Sequence, residues 1–398
     1  MEDDHGNAFK IRNFIHCTRI GTRFEIYSRY IRVLDLSNSA TDYRPVLGAI
    51  AMLRSGAVFL PNLQVLCWVG YENWTALVFI MHNSVTSFYL SFENIPADAH
   101  RQAGRYFDFI AARMPHLEHF HFSMDSQVDT SQFSRALELL IPKLTSLKSI
   151  YFPPFINAFP IISAASALSH LTDIRIWSFF WNRDATRLFH TALHHLSEIE
   201  ILSEYDEGPL TVSHLAVAIS QCCCNLRKLF LSSAGTAARG NRTPLFTCSA
   251  MRQFTIEHAY PLSIHDSDIQ TLLTRWPALE HLTLNKSPTS LLARGLSVPL
   301  PEWSTLVLFA RYGKHLSSLY LYMNGIANIL DVGNSCPFTQ LEVFGVGNSP
   351  TLDTPAEARF LSYILPPGCR IVASRKWKPV VTLVSELRKA RGEELERK

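Results

Sequence analysis

Residues 114–122 read Met114-Pro115-His116-Leu117-Glu118-His119-Phe120-His121-Phe122, and the reading of this run decides the fold. Apolar side chains stand at the first, fourth and sixth positions of the hexad that begins at Leu117, and the residues around Phe120 alternate with polar ones. That alternation is the mark of a strand buried on one face. Proline stops a helix, because it steers the residue before it away from the α region. Upstream, Phe107, Ile110, Ala111 and Met114 recur at i, i+3, i+4 and i+7, which is one face of a helix. The run is therefore a helix, a stop and a strand.

The same hexad recurs along the chain as Ile31-x-x-Leu34-x-Leu36, Leu63-x-x-Leu66-x-Trp68, Val85-x-x-Phe88-x-Leu90, Leu147-x-x-Ile150-x-Phe152 and Leu171-x-x-Ile174-x-Ile176. It continues as Leu196-x-x-Ile199-x-Ile201, Leu226-x-x-Leu229-x-Leu231, Met251-x-x-Phe254-x-Ile256, Leu279-x-x-Leu282-x-Leu284, Leu316-x-x-Leu319-x-Leu321 and Leu341-x-x-Phe344-x-Val346. One hexad carries no weight, since apolar residues are common. Twelve at quasi-regular spacing do. From Ile31 to Leu341 the mean period is about 28 residues, with steps of about 22 to 37, near the upper end of the leucine-rich-repeat range.

Helical spacing also recurs between hexads, at Phe133, Ala136, Leu137, Leu140; at Phe189, Ala192, Leu193, Leu196; at Val212, Leu215, Ala216, Ile219; and at Ile269, Leu272, Leu273, Trp276. Trp276-Pro277 repeats the proline stop. Thr354-Pro355-Ala356-Glu357 predicts a helix start with Thr354 as the cap and Glu357 reaching back. Stacked strand–turn–helix units predict an α/β fold, a right-handed leucine-rich-repeat solenoid with a parallel concave sheet and helices on the convex side. The expected organisation is a linker or domain remnant over 1–29, repeats over 30–376 and a capping helix over 377–398, where Val380, Val384 and Leu387 share helical spacing.

With 47% hydrophobic and 18% charged residues, the 398-residue chain can bury a large core. Its net charge of +3 comes from 37 basic and 34 acidic residues without a clustered basic stripe, which argues against nucleic acid as a partner. The acidic start Met1-Glu2-Asp3-Asp4 is unlike a secretory signal. No stretch has the length of a membrane helix; the nearest, Phe155 to Leu168, is broken by Asn157 and Pro160. A monomer in the cytoplasm or nucleus, with no membrane association, is expected.

Because strand residues alternate, the third, fifth and seventh positions counted from the first apolar residue face outward on the sheet. A protein partner is expected there. The predicted contacts are Tyr89, His119, His121, Tyr151, Arg175, Trp177, Glu200, Phe230, His281, Tyr320 and Tyr322. Tyr, Trp and Arg offer large contact area and hydrogen bonding; the same residues also suit any strand. The seventh positions include Ser91, Ser123 and Pro153. At the ninth position, where regular repeats place an Asn or Cys that bonds the turn, only Asn324 fits.

Three further features carry a resemblance. The pattern P-x-L-x-x-L/F-x-L/F begins at Pro61-Asn62-Leu63, Pro115-His116-Leu117 and Pro277-Ala278-Leu279. The chain opens with Arg23-Phe24-x-x-Tyr27 ahead of Ile31-Arg32-Val33-Leu34, and closes with Leu365-Pro366-Pro367-Gly368-Cys369 before a final helix. In the order of these motifs, over most of its length, the sequence resembles the degenerate F-box and leucine-rich-repeat proteins of mushroom-forming fungi. The resemblance implies a substrate receptor of an SCF-type ubiquitin ligase, in which an amino-terminal F-box docks a Skp-type adaptor and the repeats hold the substrate. Residues 1–30 carry neither the forty-residue helical segment nor the Leu-Pro-x-Glu motif of such an F-box. The chain is expected to begin in the linker after it or in an F-box remnant over 1–29, with an F-box upstream or with the ligase connection lost.

Catalytic signatures are missing. There is no G-x-S-x-G elbow, no H-E-x-x-H helix and no G-x-x-x-x-G-K loop. Gly345-Val346-Gly347 is expected to be a turn after a repeat strand. His119 and His121 project from one strand face, as two ligands of a metal would, but a third is not evident; exposed histidines that make binding mildly pH-sensitive are the competing reading. The eight cysteines form no C-x-x-C pair, and the adjacent Cys222, Cys223 and Cys224 are expected to be buried or half-buried thiols rather than metal ligands. Neither an enzyme nor a cofactor is expected.

Overall fold

A computed structural model of the chain describes residues 26–36, 46–47, 58–70, 74–93, 100–124, 131–153, 155, 159–177, 195–203, 217, 219–221, 223–233, 243–289, 300–324 and 336–396. Two compact units are formed, Met1–Trp177 and Ser178–Lys398. In both, each hexad lays its second half into one strand of a parallel sheet, and the intervals supply helices.

In the first unit the strands run β1 (Val33–Asp35), β2 (Val65–Val69), β3 (Ser87–Phe92), β4 (His119–Met124), β5 (Ser149–Phe152) and β6 (Asp173–Trp177), each pairing in parallel with the next. Among the described residues, helices between them include α1 (Trp74–Ile80), α2 (His100–Arg113), α3 (Ser131–Leu140) and α4 (Phe159–Ser166). Register follows the hexad, so that fourth-position residues Leu34, Leu66, Phe88, Phe120, Ile150 and Ile174 are paired strand to strand. These residues are buried, and the helices bury their apolar faces with them. The Phe122 ring, for example, meets Phe107 of α2 at 5.5 Å and Phe133 of α3 at 6.0 Å. Burial of large aromatic rings removes apolar area from water and drives the stacking.

In the second unit the order is β7 (Glu198–Ser203), β8 (Lys228–Ser233), β9 (Gln253–His258), β10 (His281–Leu284), β11 (Ser318–Leu321), β12 (Val343–Gly347) and β13 (Arg370–Ala373). Its described helices include α5 (Asp266–Arg275), α6 (Trp303–Tyr312), α7 (Thr354–Ile364) and α8 (Lys378–Glu396). The Trp276 ring meets Phe254 at 4.8 Å, and its Nε1 donates to the Leu245 carbonyl at 3.3 Å. At the carboxyl end, Trp377, Val380 and Val384 are buried, and Trp377 Nε1 donates to the Ser349 carbonyl at 2.8 Å.

All hexad apolar residues are buried except Ile31 and Leu231, which are half-buried. The architecture is a leucine-rich-repeat stack in each unit, as the period predicts. Of the predicted helical faces, those of α2, α3 and α5 are observed; residues 181–194 and 211–216 lie outside the described residues, and with them most of the other two.

Several local expectations are corrected. The cap of α7 is Asp353, one residue before the predicted Thr354: Asp353 Oδ1 accepts from the Ala356 amide at 3.1 Å, and Glu357 Oε1 accepts from Leu352 N at 3.1 Å. Gly345-Val346-Gly347 is strand rather than turn, the end of β12. Pro153 is buried rather than outward. A thirteenth strand, β13, follows the last hexad; it is silent in the sequence because Val343 pairs with Arg370, which puts Gly368 where the first leucine would stand.

The Asn324 amide donates to the Pro301 carbonyl at 3.0 Å. Two residues that the sequence did not single out bond turns through their side chains. Asn285, at the seventh position, is 2% exposed; its Oδ1 accepts from His258 N at 3.1 Å and its Nδ2 donates to the Tyr260 carbonyl at 2.6 Å. Its φ of 48° is a left-handed conformation that Asn tolerates better than most residues. Ser349, a ninth-position residue, is fully buried; its Oγ accepts from Met323 N at 2.9 Å and donates to the Val346 carbonyl at 2.5 Å. Both close the polar backbone of a neighbouring repeat, which a buried turn cannot leave unpaired.

Candidate functional site on the open sheet face

Positions three and five of each hexad lie on the sheet face away from the helices, and register lines them up in columns. In the first unit the fifth-position column is Asp35, Cys67, Tyr89, His121, Tyr151 and Arg175, each paired with the next. Its centre is an aromatic ladder. The His121 and Tyr151 rings stack with centroids 3.8 Å apart and planes 12° from parallel. On the other side Tyr89 meets His121 at 5.7 Å, tilted by 36°. Tyr89 keeps 42% of its surface exposed, while His121 and Tyr151 are half-buried.

Burial pushes the His121 imidazole down to about 4, and the positive charge of Arg175 acts in the same direction. The His121 ring is therefore uncharged at neutral pH, contrary to the expectation that it would make binding pH-sensitive. His119 lies on the same strand face, exposed, at the third position. Among the described residues no group of three His, Cys, Asp or Glu side chains could hold a metal ion.

Arg175 closes the ladder at one end. Its Nε lies 3.8 Å from Asp173 Oδ1, with the Arg175 side chain 46% and the Asp173 side chain 20% exposed. Ser149 Oγ donates to Asp173 Oδ2 at 3.4 Å, which braces the carboxylate from the next strand. At the other end burial pushes the half-buried Cys67 thiol up to about 11, with the Asp35 carboxylate adding to the effect. The column thus runs from an exposed carboxylate through a neutral thiol and three rings to an exposed guanidinium. Asp35 and Cys67 were missed as site residues although the same counting places them, at the fifth position of the first two hexads. The side chain of Trp177, the last residue of β6, lies outside the described residues.

In the second unit Glu200 pairs in register with Phe230, which is half-buried. One strand over from His281, which is exposed, Tyr320 stands at the fifth position of β11. Its ring lies directly on Gly345 of β12: a Cβ there would sit 1.9 Å from Tyr320 Cδ1. Lys286 Nζ is 5.6 Å from the centre of the Tyr320 ring and 3.4 Å from Glu257 Oε1. Gly347 is left-handed, with φ 51°, and a Cβ on it would meet the Lys286 carbonyl at 1.6 Å. Two glycines thus let Tyr320 and the turn bearing Lys286 lie flat on the sheet, a role that their sequence did not announce. Tyr322 falls just beyond β11 and is half-buried. Lys228 Nζ and Glu198 Oε1 pair at 2.6 Å across third positions.

A depression of about 530 Å³ opens elsewhere, at the turns that precede the strands of the second unit. Arg252, Pro277, Ala278, Glu280, His315, Ser317 and Gln340 line it, and it gathers none of the predicted contacts. No described helix is long and apolar enough to cross a membrane.

No family model and no curated protein sequence matches this chain. Among solved structures it is similar to an internalin of Listeria monocytogenes, at 11% identity and a TM-score of 0.41, over 87% of this chain and 93% of that one. It is also similar to a chain of the Drosophila Toll–Spatzle complex, at 11% identity and a TM-score of 0.44, over 86% of this chain and 43% of that one. A third is the TLR13–ssRNA13 complex, at 13% identity and a TM-score of 0.34, over 83% of this chain and 46% of that one. The chain spans less than half the length of the latter two. The parallel strands, one per hexad and paired in register, give each unit the fold of a leucine-rich repeat.

Proposed function

We propose that this chain is a protein-binding leucine-rich-repeat module that holds a partner against its open sheet face. One observation carries the reading: side chains typical of interface hot spots stand in register on a face that the helices leave uncovered, centred on the Tyr89–His121–Tyr151 ladder. Rings already held by one another lose little conformational freedom on binding, which favours a rigid docking face. A parallel sheet with one bare face is otherwise unusual, since such sheets are commonly covered on both sides.

Within that reading the module is the substrate-recognition part of an SCF-type ubiquitin ligase receptor in the cytoplasm or nucleus. Support is the resemblance in the order of the proline-led hexads, the opening Arg23-Phe24 run and the closing Leu365-Pro366-Pro367-Gly368 run. The test is affinity purification of the product of the complete transcript, beside a Tyr89→Ala, Tyr151→Ala double variant. Recovery of a Skp-type adaptor with both proteins, and of a substrate with the first alone, is expected. Recovery of a partner without any adaptor would instead assign a free-standing interaction scaffold. A partner bound equally by both proteins would contradict the open-face reading.

A further inference from the structure

The fifth-position column of the first unit has a polarity that narrows what can lie on it. Asp35 is exposed at one end. Arg175 stands at the other with its side chain 46% exposed and its Nε 3.8 Å from the less exposed Asp173 carboxylate. Between them lie the Cys67 thiol, which burial pushes up to about 11, and the His121 imidazole, which burial pushes down to about 4, flanked by the Tyr89 and Tyr151 rings. Six residues on adjacent strands are five strand spacings apart, about 24 Å at about 4.8 Å each.

The flanks of the ladder are also defined. Ser87 and Ser91 stand on either side of Tyr89, His119 and Ser123 on either side of His121, and Ser149 beside Tyr151. Except at His119, which is exposed, short hydroxyl side chains run along the aromatic line. Hydroxyls can donate to and accept from a peptide backbone. A helix satisfies its backbone internally and gains nothing from them, whereas an extended chain presents its N–H and C=O groups sideways. At about 3.3 Å per residue an extended segment covers the column with about seven residues.

We propose that this column binds an extended peptide segment of about seven residues laid across the strands, basic where it meets Asp35, aromatic or proline-rich over the Tyr89–His121–Tyr151 rings, and acidic where it meets Arg175. The inference rests on the open face being the docking face and adds the chemistry of the occupant. Proline and aromatic side chains fit the ladder because flat apolar faces stack on rings without requiring a buried charge. Opposite charges at the two ends set the direction in which the segment lies, since the reversed segment would meet like charge at both.

The test is selection of a phage-displayed library of random twelve-residue peptides on the full chain, in parallel with selection on Asp35→Lys and Arg175→Glu variants. Synthetic consensus peptides are then titrated by fluorescence anisotropy against the chain and against Tyr151→Ala. Expected are peptides with a basic and an acidic residue about six positions apart around Trp, Tyr, Phe or Pro. Expected too are loss of the basic preference on the Asp35 variant and of the acidic preference on the Arg175 variant, and at least tenfold weaker binding by Tyr151→Ala. Should either reversal leave the chain unfolded by circular dichroism, Asp35→Asn and Arg175→Gln serve in its place. Peptides without the charge order, peptides indifferent to both variants, helical peptides, or no enriched peptide would each overturn the inference. The open-face reading would survive those outcomes if the Tyr89→Ala, Tyr151→Ala chain still loses its protein partner, and would fall with the inference if it does not.

Discussion

His121 lies flat on Tyr151, ring centroids 3.8 Å apart and planes 12° from parallel, because residues at the same hexad position on adjacent strands are paired in register. The stack is a consequence of repetition. Side chains that look unremarkable one by one become a ladder when the period brings them together.

The inward and outward positions should separate cleanly in stability measurements. Phe122 is fully buried, and its ring meets Phe92, Phe107 and Phe133. Phe122→Ala is expected to destabilise by about 3–5 kcal/mol in urea unfolding, the usual range for a large core residue. Tyr89→Ala, at an exposed position, is expected to change stability by less than about 1 kcal/mol. Equal effects would mean that the sheet faces are reversed.

Acid should weaken the fold through His121. Its folded-state value of about 4 lies below the ordinary 6.5, so the unfolded chain binds more protons between those values. Stability is accordingly unaffected above pH 6.5 and falls as the pH drops through that window toward 4. At about 1.4 kcal/mol per unit the loss is at most about 3 kcal/mol, reduced by the partial exposure of the ring. Burial lowers His82 as well, which acts with the same sign, while burial raises Glu357, which acts with the opposite sign. His121→Phe keeps a ring in the stack and is expected to flatten the dependence between pH 6.5 and 4; an unchanged slope would contradict the assignment.

The two turn-bonding residues should matter more than their size suggests. Asn285→Ala strands the His258 amide and the Tyr260 carbonyl, and Ser349→Ala strands the Met323 amide. Each is expected to destabilise by about 1–3 kcal/mol, the cost of buried polar groups left unpaired. Asn324→Ala, at the position that the repeat consensus favours, should have the smaller effect in the same thermal or urea series.

Thiol chemistry should sort the described cysteines. Cys224 is exposed, against the sequence expectation, and so is Cys336, while Cys223, Cys248 and Cys369 are buried. Burial holds Cys67, Cys248 and Cys369 at about 11. At pH 8 iodoacetamide should label Cys224 and Cys336 in the native chain, with the others following only on unfolding, as read by peptide mass spectrometry. Prompt labelling of Cys248 or Cys369 would be inconsistent with this packing.

What the sequence disclosed was whatever depends on period and polarity. Alternation about Phe120 and Phe122 gave the buried face, the twelve hexads the parallel order, and the helical spacing at Phe133 and Ile269 the layer behind. What it hid depends on atoms meeting across repeats. Gly345 read as punctuation, yet it lies in a strand because the Tyr320 ring needs the space of a missing Cβ. The strand β13 went unseen since glycine occupies its leading position. Asp353 rather than Thr354 caps α7, a one-residue shift that propensity does not resolve. Tyr89, His121, Tyr151 and Arg175 were each legible as outward residues, but their stacking and the neutrality of His121 follow only from distance and burial.

The most direct measurement is site-specific photocrosslinking with a benzoyl-phenylalanine placed at position 89 or 151 on the open face, and at position 139 on α3, where Leu139 is 61% exposed on the helical side. Expressed in cells that make the protein, the chain should form discrete adducts with a partner protein from positions 89 and 151 and none from 139. Adducts from position 139 alone would place the partner on the helices and contradict the account.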